Sequence, residues 1–203
     1  MIRLDTAENG LWTVTIDRPQ KANSLTAAML EELAEIAERA QDARGLILTG
    51  TGSVFSAGAD LEEARAGLAT SPLWERLSGA IAELPCLTVA ALNGTLAGGA
   101  NGMALACDLR IAVPPAKVFY PVMKLGYLPQ PSDAGRMAAL IGPARTKLIL
   151  AAGQKITAEE AYAYGLIDRI VEPEALMETA EALLADSLAA EPETARAILK
   201  ACG

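Results

Sequence analysis

The segment Gly45-Leu-Ile-Leu-Thr49 is apolar throughout, the pattern of a strand covered on both faces, and such strands sit inside sheets flanked by helices. Its neighbours agree. Residues 11–17, Leu-Trp-Thr-Val-Thr-Ile-Asp, alternate apolar and polar, as a half-buried strand does. Further strands are predicted over Leu87–Leu92, closed by Asn93-Gly94, and over Leu109–Val113, broken by Pro114-Pro115. Between the first two lies a predicted helix over about 26–41, opened by Thr26 as N-cap. Its apolar stripe is Met29, Leu30, Leu33, Ile36, Ala37 and Ala40, and Glu31, Glu32, Glu35 and Glu38 face water. Residues 72–84 read as another helix with Pro72 near its start. Helices then dominate, over 132–141, 143–152, 157–164, 173–189 and 193–200. Strands alternating with helices, then helices alone, make the chain α/β. No sequence repeat or linker divides it, and 203 residues suit one domain.

Composition removes several classes of chemistry. The chain has no histidine, which excludes Ser-His-Asp and Cys-His catalysis. Three scattered cysteines (Cys86, Cys107, Cys202) without a CxxC pair argue against a zinc site or disulfide framework, so no metal is expected and a reducing, cytoplasmic setting is. The net charge of −8 disfavours nucleic-acid binding. No membrane-spanning segment is expected. Met1 leads into Ile-Arg-Leu-Asp, so no secretory signal is expected. Acid–base work is left to carboxylates, tyrosines, lysines, backbone groups or water.

Two junctions are poor in side-chain bulk: Gly50-Thr-Gly-Ser-Val-Phe-Ser-Ala-Gly-Ala-Asp60, and Ala97-Gly-Gly-Ala-Asn-Gly102. A helix opening near Gly99 leaves its first N–H groups unpaired and able to hold an oxygen. Two such donors on one carbonyl would form an oxyanion hole; alternatively the glycines serve tight packing of helix on sheet. Phosphate-loop readings fail, because the first junction lacks the third glycine of a dinucleotide fingerprint and no Gly-Lys-Ser/Thr end occurs. No GxSxG elbow is present either.

Four segments in order, Asp17-Arg-Pro-Gln-Lys-Ala-Asn-Ser-Leu25, Phe55-Ser-Ala-Gly-Ala-Asp-Leu61, Asn93-Gly-Thr-Leu-Ala-Gly-Gly-Ala-Asn-Gly102 with Cys107-Asp108, and 142–172, resemble the enoyl-CoA hydratase/isomerase (crotonase) family. The resemblance covers roughly residues 2–200. It implies a crotonase-like spiral of ββα turns over 1–140 and a C-terminal helical region over 141–203 within the same domain, assembled as trimers or hexamers. Family members continue further, so the helical region reads as truncated and the segment after Asp60 as shortened, which would open the acyl pocket or alter trimer contacts. The resemblance also implies an acyl-CoA substrate, with coenzyme A as part of the thioester and no separate cofactor. The thioester oxygen would lie between the backbone amides of Ala59 and Gly99. Lys21, Ala22, Ala57, Asp60, Leu61 and Glu62 match places where the family contacts coenzyme A.

The sequence departs from the family at its acids. The two glutamates that serve hydration are replaced by Gly102 and Val122, and the aspartate of some isomerases and dehalogenases by Gln130. Nearby remain Asn101, Tyr120, Lys124, Tyr127 and Asp133. Asn101 can orient a group without titrating, and Tyr120, Tyr127 and Asp133 are candidate proton donors. Asp133 also reads as the cap of the helix starting near Ser132, and Asp60 and Asp108 as structural residues at helix ends. Lyase or isomerase activity follows from the family; the missing glutamates favour decarboxylation, which needs no base, or a silent acyl-CoA-binding or assembly protein.

Overall fold

The structure, a computed structural model, describes residues 1–202. Its strands form two sheets. The chain starts with β1 (Ile2–Thr6) and β2 (Leu11–Ile16), an antiparallel hairpin, followed by α1 (Ala27–Arg39). Then come β3 (Gly45–Gly50), β4 (Val54–Ser56), α2 (Leu61–Arg65) and α3 (Leu73–Ala82). The pattern recurs in β5 (Leu87–Leu92), β6 (Thr95–Ala97) and α4 (Ala100–Ala106), and again in β7 (Leu109–Ala112), β8 (Lys117–Phe119), α5 (Val122–Leu125) and α6 (Asp133–Leu150). The remainder is β9 (Ile156–Thr157), α7 (Ala158–Tyr164), β10 (Arg169–Ile170), α8 (Leu176–Ala189) and α9 (Pro192–Cys202).

The larger sheet has the order β1-β2-β3-β5-β7-β10 and is parallel apart from the first hairpin; the smaller is β4-β6-β8-β9. Each repeat sends one strand to the large sheet, the next to the small sheet, and a helix over the outside. This is the spiral of ββα turns, and β3 reads burial on nearly every residue as its apolar sequence demands. The repeat is invisible in sequence because consecutive turns share geometry, not residues.

Most long elements fall where the sequence puts them. Thr26 caps α1 by accepting from Met29 N at 3.2 Å, and the whole predicted stripe is buried. The two helices expected over 132–152 are one run broken at Gly142, whose backbone (φ 76°, ψ 162°) leaves helical geometry before Pro143. Thr157 and Glu160 close a capping box on α7, ended by Gly165 in the left-handed conformation. The three-residue strands of the small sheet went unread: at that length no alternation accumulates.

Candidate functional site

The spiral brings the ends of β4 and β6 side by side, and both glycine-rich junctions meet there. Gly58 (φ +88°) is packed so closely on the other loop that a Cβ would lie 2.9 Å from Ala97 O and 3.4 Å from Gly99 N. Only a residue without a side chain satisfies both the conformation and the approach. Gly99 rests against the buried indole of Trp74, where a Cβ would meet ring atoms at 3.0 Å, and the Trp74 Nε1–H donates to Leu68 O at 2.8 Å.

Backbone pairing explains which amides stay free. Leu25 and Ala59 form an isolated parallel bridge: Leu25 N donates to Gly58 O and Asp60 N donates to Leu25 O, each at 2.8 Å. A parallel bridge uses the peptide groups on either side of Ala59 and turns the N–H of Ala59 itself away from Leu25. Gly99 stands at the N-cap of α4, where helix geometry supplies no acceptor. Among the described residues neither N–H has an acceptor, and both residues line one cavity of about 220 Å³. Two unbonded donors on a common wall can hold one developing oxyanion.

The rest of that cavity is apolar. Leu61, Ala64, Trp74, Phe119, Val122 and Leu125 contribute to its walls, and no lysine, arginine, aspartate or glutamate does. Of the candidate acids, Tyr120 lines it and is buried, whereas Tyr127 lines its mouth and is half exposed with the strongly exposed Leu128. Val122 sits on the wall and Gly102 lies behind it in the first turn of α4. Asn101 is spent on structure, its amide donating to Gly98 O at 2.8 Å and Phe119 O at 3.1 Å. Lys124 is exposed and lies off the cavity wall.

Asp133 departs from the expected cap. Ser132 is the N-cap position of α6 and no side chain caps it; the Asp133 carboxylate turns inward instead and is fully buried. Its Oδ2 accepts from the Tyr120 hydroxyl at 2.9 Å, and its Oδ1 has no partner. Gly102 makes this possible, since a Cβ there would stand 2.7 Å from Oδ1. Burial in apolar surroundings pushes the Asp133 carboxyl up to about 6, partly offset by the Tyr120 hydrogen bond and Arg136. The Tyr120 phenol is pushed well above its ordinary value, chiefly by burial and then by the Asp133 charge. Gln130 is buried beside the pair, its backbone N–H 3.5 Å from the phenol oxygen.

A second, polar groove adjoins the apolar cavity and shares Ala57, Ala59 and Leu61 with it. It gathers Lys21, Ala22, Asp60 and Glu62, so the sequence-proposed contact residues lie together. Asp60 is engaged locally: it pairs with Arg18 at 2.8 Å and caps α2 by accepting from Glu62 N at 3.1 Å, and the Arg18 hydrogen bond holds its carboxyl below the ordinary range. Asp108 is likewise structural, accepting from both the N–H and the hydroxyl of Thr88.

Sequence reasoning missed Asn23. It is fully buried with a left-handed backbone (φ 52°), accepts from Arg18 N at 2.8 Å, and donates to Thr51 O at 2.9 Å and Val54 O at 2.7 Å. It thereby ties the Lys21 turn to the loop before Ala59. Its only sequence signal is its residue type, since asparagine tolerates positive φ better than other non-glycine residues.

Comparison with known proteins bears on the fold and the family. The family model for enoyl-CoA hydratase/isomerase matches residues 6–202. YngF of Bacillus subtilis, described as a putative enoyl-CoA hydratase/isomerase, is 38% identical over 85% of this chain and 70% of its own length. The 1,2-epoxyphenylacetyl-CoA isomerase of Escherichia coli is 32% identical over 97% of this chain and 79% of its own. Among solved structures, an enoyl-CoA hydratase from Bacillus anthracis superposes with a TM-score of 0.88 at 33% identity, covering 96% of this chain and 79% of that one. The spiral, the two glycine-rich junctions and these matches together make the chain a member of the enoyl-CoA hydratase/isomerase family.

Proposed function

We propose that the protein is an acyl-CoA-processing enzyme that stabilises a thioester enolate between the backbone N–H groups of Ala59 and Gly99. The observation that carries this reading is the pair of unbonded amides on one wall of an apolar cavity, beside a polar groove. The acyl portion would fill the apolar side. Coenzyme A would run along the groove past Lys21, Ala22, Ala57 and the 59–62 segment, with the Lys21 ammonium available to a phosphate.

The reaction that suits this cavity is decarboxylation of a malonyl-type thioester. Hydration needs a carboxylate to take a proton from water, and the cavity wall has none. Loss of carbon dioxide leaves the bonding electron pair on the α-carbon and thioester oxygen directly, so the two amides do the stabilising and only a proton donor is required. Tyr120, which is among the lining residues, is the donor this reading assigns.

Carbon dioxide release from a panel of malonyl-type CoA thioesters, set beside crotonyl-CoA and 3-enoyl-CoA, tests the proposal. Turnover of a malonyl-type ester, lost when Gly99 is enlarged to valine, is expected. Acyl-CoA binding without turnover of any ester would instead make the protein a silent binding or assembly protein.

A further inference from the structure

We propose that Tyr120 and Asp133 form a proton relay: Tyr120 is the catalytic acid that protonates the enolate carbon, and Asp133, seated in the space left by Gly102, is the positioning residue that aims and recharges it. The proposal rests on the thioester-enolate reading above. Three contacts support it. Tyr120 lines the cavity that holds Ala59 and Gly99. Its hydroxyl is 2.9 Å from Asp133 Oδ2. The other carboxylate oxygen is buried without a partner, where a Cβ on Gly102 would otherwise stand.

The bond between the pair can run in either direction. With Asp133 ionised, the Tyr120 hydroxyl donates to Oδ2, and its hydrogen is committed to that bond. With Asp133 protonated on Oδ2, the acid donates to the phenol oxygen, and the Tyr120 hydrogen is freed for another acceptor. An isolated buried carboxylate is costly, and its neutral form costs far less. The charged and titratable groups facing Asp133 are Tyr120 from the loop after β8, Glu75 from α3 and Arg136 from α6 itself. Glu75 raises the Asp133 proton affinity and Arg136 lowers it, and α4 brings Gly102 up to Oδ1. Glu75 is itself held by the backbone N–H and hydroxyl of Ser132.

The step balances without an oxidant or reductant. The substrate carboxylate leaves as carbon dioxide and its bonding pair enters the enolate. The enolate carbon takes the Tyr120 proton as the Asp133 proton passes to the phenol oxygen, so no free phenolate accumulates. The Asp133 carboxylate then regains a proton from solvent. One proton is consumed for each carbon dioxide released.

The test uses C2-methyl malonyl-CoA in D2O with the wild type, Tyr120→Phe and Asp133→Asn. A relay delivers its deuteron from one face, so the wild type is expected to give product of one C2 configuration. Its kcat falls as pH rises through about 6. Both variants are expected to give racemic product with a flat pH profile and kcat lowered by about 100- to 10,000-fold, the scale of a lost general acid. Infrared spectra give a readout independent of turnover: a protonated-carboxyl band that titrates in the wild type and is absent from Asp133→Asn. A wild type that releases carbon dioxide to racemic product, or variants that keep its configuration and pH profile, would overturn the relay alone. No carbon dioxide from any malonyl-type ester, with a carboxyl band that still titrates, would overturn the decarboxylase reading and the relay's role in it.

Discussion

At the scale of single residues, two buried polar side chains organise the site. Asn23 satisfies three backbone groups, one in its own turn and two in the segment leading from β3 into β4, and adopts a conformation costly for most residues. Asn23→Ala is expected to destabilise the fold by about 2–4 kcal/mol, read by chemical denaturation, because it strands buried backbone groups. Asp133 works in the opposite sense. Its folded pKa, near 6, lies above the ordinary 3.8, so the native state binds the proton more tightly than the unfolded chain. Its contribution is therefore fully present below pH 4 and is lost as pH rises through about 6. Asp133→Asn removes that titration, and its stability relative to wild type is expected to improve by about 2 kcal/mol between pH 4 and pH 8. Denaturation midpoints at the two pH values check it; an unchanged difference would contradict it. The sequence offers Asp133 as a candidate proton donor, but neither its burial nor its bond to Tyr120 was legible there. Asp133 follows a proline and a serine at a helix start, which reads as a cap, and only the empty volume over Gly102, on a distant element, turns the carboxylate inward.

At the scale of elements, the site depends on how closely two loops approach. Gly58→Ala forces a Cβ to 2.9 Å from Ala97 O at a backbone φ of +88°. It is expected to cost about 1–3 kcal/mol and to part the loops bearing Ala59 and Gly99, lowering kcat far more than it weakens binding along the Lys21 groove. Steady-state kinetics beside direct binding separates the two effects. The long elements were legible because amphipathic stripes and apolar runs accumulate signal over many residues, as α1 and β3 do. The short strands β4, β6 and β8 and the bridge between Leu25 and Ala59 were not, since two or three residues carry no periodicity and their pairing is fixed by the spiral. The glycine-rich junctions were visible as sequence, but which amides stay unbonded is a property of the bridge.

At the scale of the whole molecule, the core runs continuously through both sheets and α1, α3, α4 and α8, while α9 buries none of its residues. Removing Pro192–Cys202 is therefore expected to leave the melting temperature within a few degrees of the full chain, about the shift that accompanies 1 kcal/mol. A collapse of the circular-dichroism transition would show that α9 supports the core. Arg44 instead holds the end of α8, donating to Ser187 O at 3.3 Å and Leu188 O at 3.2 Å. The spiral thus brings the ends of β4 and β6 in the small sheet together, and the proposed chemistry rests on the backbone amides of Ala59 and Gly99. A crystal structure with a non-hydrolysable acyl-CoA analogue tests that directly. The thioester oxygen is expected about 3 Å from both Ala59 N and Gly99 N; an analogue bound with its carbonyl beyond hydrogen-bond reach of either amide would contradict it.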